Sequence, residues 1–296
     1  MKKSIFLAAI CLLFAACCND NDILNNQSEE QVPVTIRFSG FTVSQEDFPA
    51  TRATETPASY NLVKAIDLVM FASDGSEAYR HTQLKDDGTT YTTFGEFSFT
   101  IPVGNYTLVA VARHVGTGDE FTLTSPTVAA YTSERPRETF CLKQDVTVTS
   151  ASPLDLDATM SRISTKLNIL STDGRPASAT KIRTTFEKGG KSFNPTTGLS
   201  LTDTGFSQTN NPSAAVGSTI DISILPFLYT DEETMTVTIE ALDADDNVLA
   251  TRTVNNVPFK RNRVTTLRGA IYTASASAAA FQLETSWQTP SDPIDF

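Results

Sequence analysis

Apolar and polar residues alternate with a period of two through much of the chain. Val34, Ile36 and Phe38 are separated by Thr35 and Arg37; Phe97, Phe99 and Ile101 by Ser98 and Thr100; Val237, Ile239 and Ala241 by Thr238 and Glu240. Phe281, Leu283 and Trp287 continue the theme near the end. Such a period sends successive side chains to opposite faces, so each run predicts a strand with one face in a core and one in water. Residues 65–72 and 106–112 are instead almost continuously apolar, with the turn signals Asp74-Gly75 and Val103-Gly104-Asn105 beside them. They predict central strands covered on both faces or lying deep in a sandwich. Asp243-Ala244-Asp245-Asp246-Asn247 separates two alternating runs and predicts a hairpin turn. No helical period extends beyond a turn or two, so the pattern predicts an all-β protein.

The N-terminus departs from this pattern. Lys2 and Lys3 precede an apolar run over residues 5–16, the layout of a secretory signal. The run is too short to span a bilayer as a permanent helix. It closes on Phe14-Ala15-Ala16-Cys17. A small-small-Cys ending resembles a bacterial lipobox, in which Cys17 is acylated and begins the mature chain; a plain secretory signal is the alternative, and Cys18 a lesser acylation candidate. Acyl chains hold a protein to a membrane at about 0.8 kcal/mol per buried CH₂. Residues 17–32 are polar and acidic, which predicts a disordered tether, and acidic residues just after such a cysteine resemble the surface-export signal of Bacteroidales-type lipoproteins.

Charge narrows the partners. The chain carries a net charge of −11, and removing residues 1–16 takes away two lysines to leave −13. An acidic exterior argues against nucleic acid or anionic head groups as partners. Of four cysteines, Cys11 leaves with the signal and Cys17 takes lipid. Cys141, inside Thr139-Phe140-Cys141-Leu142, reads as a small buried hydrophobe rather than the disulfide partner of Cys18. The stretch Thr149-Ser150-Ala151-Ser152-Pro153 is short, polar and ends in proline. It divides the remainder into sandwich-sized domains at 33–150 and 151–296. The halves share a plan without a recognisable internal repeat.

Motifs for chemistry are sparse. The two histidines, His81 and His114, lack a third partner at ligand spacing. There is no Gly-x-Ser-x-Gly elbow, and Gly189-Gly190-Lys191 lacks the upstream glycine of a phosphate loop. A calcium loop starting at Asp243 would need glycine and glutamate where Val248 and Val254 stand. No catalytic residue, metal site or cofactor is predicted, and the chain does not read as an enzyme. A glycan site would present aromatic platforms; Trp287, the only tryptophan, reads as a core residue in register with Phe281 and Leu283, while Tyr60, Tyr79 and Tyr91 could line a loop surface.

Two segments stand out. A strong strand over residues 32–43 leads into Phe48-Pro49-Ala50-Thr51-Arg52-Ala53-Thr54-Glu55, a polar loop with one isolated arginine, which reads as a solvated linker or a protease site. Lys260-Arg261-Asn262-Arg263 places a basic cluster before the last strands, either a partner patch or a charged edge. Together with the lipobox, the acidic tether, Tyr106-Thr107-Leu108-Val109-Ala110 and Met160-Ser161-Arg162-Ile163-Ser164-Thr165-Lys166-Leu167, these segments resemble, in order and spacing, the Bacteroidales fimbrillins, subunits of type V pili. That resemblance implies two tandem transthyretin-like β-sandwich domains. It also implies a surface lipoprotein that joins other fimbrial subunits and meets host or bacterial surface ligands. It further implies cleavage at Arg52-Ala53, a removable strand carrying Val34, Ile36 and Phe38, and a donor or groove-edge strand carrying Phe281, Leu283 and Trp287. An uncut chain would instead resemble the family's membrane anchor, and a non-polymerising glycan-binding lipoprotein is the other reading. Pro290 and Pro293, which cannot donate ladder hydrogen bonds, sit poorly with a donor role for the final residues.

Overall fold

The computed structural model describes residues 30–42, 54–85, 93–116, 121–132, 135–273 and 281–284; at 42, 54, 55 and 281–284 it describes the backbone alone. The strands of the first half are β1 (Gln31–Thr42), β2 (Thr54–Glu55), β3 (Ala65–Ala72), β4 (Glu77–Leu84), β5 (Glu96–Pro102), β6 (Gly104–Arg113), β7 (Phe121–Ser125), β8 (Val128–Tyr131), β9 (Thr139–Val148) and β10 (Leu154–Arg162). The second half holds β11 (Lys166–Ser171), β12 (Lys181–Phe186), β13 (Ser192–Asn194), β14 (Leu199–Ser200) and β15 (Phe206–Asn210). It continues with β16 (Asp221–Ile224), β17 (Glu232–Leu242), β18 (Val248–Lys260), β19 (Val264–Gly269) and β20 (Phe281–Glu284). The all-β expectation holds, and so does the pair of sandwiches.

In the first sandwich, strands in the order β4-β3-β6-β9 form one layer. They face a layer in which β1 lies between β5, antiparallel to it, and β10, parallel to it. The two layers are joined at one corner, where Ser161 and Arg162 pair with Cys141 and Phe140. Between them lies a core of Val34, Ile36, Ile66, Leu68, Leu108, Phe140, Met160 and their neighbours. The predicted break at residues 149–153 does fall between strands. Yet β10, which lies beyond it, pairs with β1 and puts Ala158 and Met160 into the first core. As paired, the first sandwich therefore runs to Arg162 rather than to residue 150. No local signal in residues 154–162 could reveal a partner so distant in sequence.

The second half repeats the plan. β11 lies between antiparallel β16 and parallel β19, opposite a layer ordered β15-β12-β17-β18, with β20 added outside β19. The shared strand order is visible only in the pairing. Asp243 and Asn247 flank the β17–β18 turn as predicted, with Asp246 at φ 67°.

A third, smaller core joins the halves. The hairpin β7–β8 pairs through β8 with β13 of the second half, giving a sheet ordered β14-β13-β8-β7. That sheet covers the outer face of β3 and β6, where Val69, Phe71, Val109 and Val111 pack with Leu123, Tyr131, Phe193 and Phe227. This second covering explains why β3 and β6 lack alternation: both faces are dry. Gly189 lets the chain approach closely beneath it, at φ +74°, where an added Cβ would lie 2.4 Å from the Phe227 carbonyl oxygen.

Candidate functional site

The predicted removable strand sits in a deep slot. Val32, Val34, Ile36 and Phe38 alternate inward from β1 and are each at most 4% exposed. Phe38 meets Phe97 edge to face, with ring centroids 5.9 Å apart. The register with β10 shifts between Phe38 and Gly40, and this bulge at Ser39 resets the alternation so that Phe41 also points inward. Phe41 lies 4.6 Å from the Phe140 ring and 5.8 Å from Tyr60. Period-two reading stops at Phe38 and misses Phe41 for that reason. On the outer face, Arg37 reaches strands on both sides, Glu96 at 3.5 Å and Asp155 at 3.2 Å. Pro33 is tolerated because pairing with β10 begins only at Val34.

The other end of the predicted exchange apparatus is β20. Its backbone runs antiparallel to β19, setting Phe281 opposite Gly269 and Leu283 opposite Leu267. The turn leading towards it is clamped from both polar sides. The Asp173 carboxylate accepts the backbone N–H groups of Ile271, Tyr272 and Thr273, all at 2.8 Å, and the Thr273 hydroxyl at 3.1 Å. Arg252 donates through Nε to the Ala270 carbonyl at 3.0 Å and through Nη2 to the Thr273 carbonyl. Partial burial would raise the Asp173 pKa, but the backbone donors outweigh it and hold the carboxyl below its usual value. Sequence reasoning missed this clamp, since nothing local ties Asp173 to a turn some hundred residues later.

Cys17, Arg52, Ala53 and Trp287 lie outside the described residues, as does Tyr91. The structure brings Val34, Ile36 and Phe38 into one core and places Phe281 and Leu283 on an edge strand of the other half. It does not join the two sets in one chain. Tyr79 stacks on Phe99 at 3.7 Å, and the Tyr60 hydroxyl donates to Glu138 at 2.7 Å, with burial raising its pKa to about 12. Both tyrosines are therefore packing residues rather than a loop platform. His81 is exposed on β4, and Cys141 is buried. The Asp243 carboxylate accepts from Asp245 and Asn247 within its own turn. Among the described residues no group of three or more His, Cys, Asp or Glu side chains could hold a metal ion. In the basic cluster, Lys260 pairs with Glu232 and Arg261 with Asp231, so much of it is a neutralised strand edge. Arg263, by contrast, turns inward and is only 4% exposed.

Residues 25–291 match a family described as a family of unknown function, DUF6562. No curated protein matches the chain. Among solved structures, a candidate adhesin from Bacteroides ovatus superposes with a TM-score of 0.50 at 10% identity, covering 82% of this chain and 88% of that one. A second candidate adhesin from the same species gives 0.51 at 8% identity, covering 89% and 99%. The fimbrial anchor protein Mfa2 of Porphyromonas gingivalis gives 0.48 at 11% identity, covering 86% and 97%.

Proposed function

The chain belongs to the DUF6562 family of unknown function, and within it we propose that the protein is an accessory subunit of a surface fimbria, exported as a lipoprotein, joined to its neighbours by strand exchange and supporting adhesion. The observation that carries this reading is the seat of β1. One contiguous strand at the start of the sandwich fills a slot between β5 and β10 and supplies five side chains to the core. The stretch of sequence that follows it contains Arg52. Two candidate adhesins share the fold.

The energetics constrain how exchange would proceed. Each fully buried large apolar side chain contributes roughly 1.5–3 kcal/mol, so Val32, Val34, Ile36, Phe38 and Phe41 together contribute about 8–15 kcal/mol at most. That is comparable with the roughly 5–15 kcal/mol stability of a whole domain. The slot cannot stand empty, so an incoming strand must replace β1 as it leaves. Backbone ladders on both walls would supply affinity, and alternate side chains would fix register. In this scheme Cys17 carries the lipid anchor to the outer membrane, cleavage after Arg52 frees β1 with that anchor, and the segment bearing Phe281, Leu283 and Trp287 enters a neighbour. The other partners are fimbrial subunits and a surface ligand.

The test is N-terminal sequencing of protein shed from intact cells, with Arg52→Ala beside it. A new start at Ala53 in high-mass oligomers, abolished by the substitution, supports the scheme. Uncut protein still lipidated at Cys17 and never found in oligomers refutes strand exchange and leaves a membrane-held surface protein.

A further inference from the structure

The slot that holds β1 is apolar within and acidic at its rim. On the outer face, β5 sets Glu96 directly opposite Arg37, and β10 presents Asp155 and Asp157, both exposed. Arg37 is the only charged residue in β1. It bridges both walls, with Nε 3.5 Å from Glu96 and Nη1 3.2 Å from Asp155. If β1 left without a substitute for Arg37, these carboxylates would face one another across two strand spacings, roughly 10 Å. Both ion pairs are partly exposed, so each adds little to the stability of the fold. Like charges set opposite one another on a sheet are unfavourable to a similar degree. The rim therefore acts more on the choice between incoming strands than on the stability of the one in place.

The slot also sets a spacing. Inward side chains fall at 32, 34, 36 and 38 and, past the bulge, at 41, with Arg37 between Ile36 and Phe38. Residues 281–296 of a second copy meet these demands poorly in the direction of β1. Three registers keep Phe281 and Leu283 inward, on 32 and 34, on 34 and 36, or on 36 and 38. They put Ser286, Glu284 or Gln282, respectively, at the place of Arg37. The first two also carry Thr285 into the position of Ile36 or Phe38, and the third puts Ser286 at that of Phe41. A hydroxyl in such a dry position is costly unless it finds a partner. The segment holds Glu284, Asp292 and Asp295 but no lysine or arginine, so no register returns a cation to the rim.

Resting on the strand-exchange reading, we propose that Glu96 and Asp155 make this slot selective for a strand from an unlike subunit and against residues 281–296 of a second copy. The favoured strand carries lysine or arginine between its third and fourth inward apolar residues. The test uses the full-length protein with a site-specific protease sequence in place of residues 47–52. After the cut, the protein is unfolded in urea and refolded by dilution with a large excess of a labelled peptide, and captured peptide is measured by gel filtration. A peptide of residues 30–42 should be captured. Its Arg37→Glu version should be captured about fivefold less, and a peptide of residues 279–296 about tenfold less. Salt at about 1 M should narrow the gap between the first two, because the pairs are partly exposed. Glu96→Lys with Asp155→Lys in the protein should reverse their order. Equal capture of the Arg37→Glu peptide, capture of residues 279–296 as good as that of 30–42, or an order unmoved by the two lysine substitutions would each overturn the selectivity and leave strand exchange standing. Failure to capture residues 30–42 at all would overturn both.

Discussion

Replacing Asp173 with alanine removes the shared acceptor for three backbone N–H groups and one hydroxyl. The donors differ in what they lose. Ile271 is fully buried, so its N–H has no water to turn to, and a stranded buried donor costs about 1–3 kcal/mol. Tyr272 is half-buried and Thr273 exposed, so their N–H groups rehydrate at a cost of roughly 0.5 kcal/mol each. The sum is about 2–4 kcal/mol, within the measured range for loss of a hydrogen-bond network. Urea unfolding followed by intrinsic fluorescence reads this directly, and the melting temperature should fall by roughly 4 °C per kcal/mol. Hydrogen exchange should quicken first at β19 and β20, because the clamp fixes the turn between them. Acid should mimic the substitution. The carboxyl pKa is lowered in the folded state, so its contribution is complete above about pH 4 and fades as pH falls through the folded value. An Asp173→Ala protein within about 0.5 kcal/mol of the parent, with unchanged exchange at β20, would refute the clamp.

Two further substitutions probe the cores. Phe41→Ala should cost about 3–5 kcal/mol, because the ring is fully buried against Phe140 and Tyr60; urea midpoints measure it, and a loss below 1 kcal/mol would show that the bulge at Ser39 does not seat this residue. Arg113→Met should cost about 3–5 kcal/mol by stranding the Asp67 carboxylate, which Arg113 meets at 2.7 Å and Thr82 also contacts. The double variant Asp67→Leu with Arg113→Met should recover most of that loss, which a double-mutant cycle would report.

Much of this fold was legible because it is written locally. Alternation in residues 34–38, 97–101 and 237–241 marks β1, β5 and β17, and the almost continuous apolar runs mark β3 and β6 as central strands, covered on both faces or deep in a sandwich. Pairing between distant segments was not legible. Residues 154–162 alternate well enough to be a strand, yet only the structure seats them beside β1. The same limit hid the Asp173 clamp. Residues 260–263 looked like one basic patch, but the turn sends Lys260 and Arg261 to acidic partners and Arg263 inside. Charge along a sequence does not reveal which members of a run a turn will bury.

The parallel pairing of β1 with β10 has a consequence for the order of folding. Arg37 and its partner Asp155 are 118 residues apart, and between them lie all the strands of the opposing layer. Contacts at such separation form late, since the intervening loop must be closed before they repay its entropy. β1 leaves the ribosome before any of its partners, then waits until β10 has followed it out. The second sandwich repeats the arrangement, with Thr165 and Arg263 held together across 98 residues. In each unit the strand made first is secured last, because the layer that holds it closes only when its parallel partner arrives.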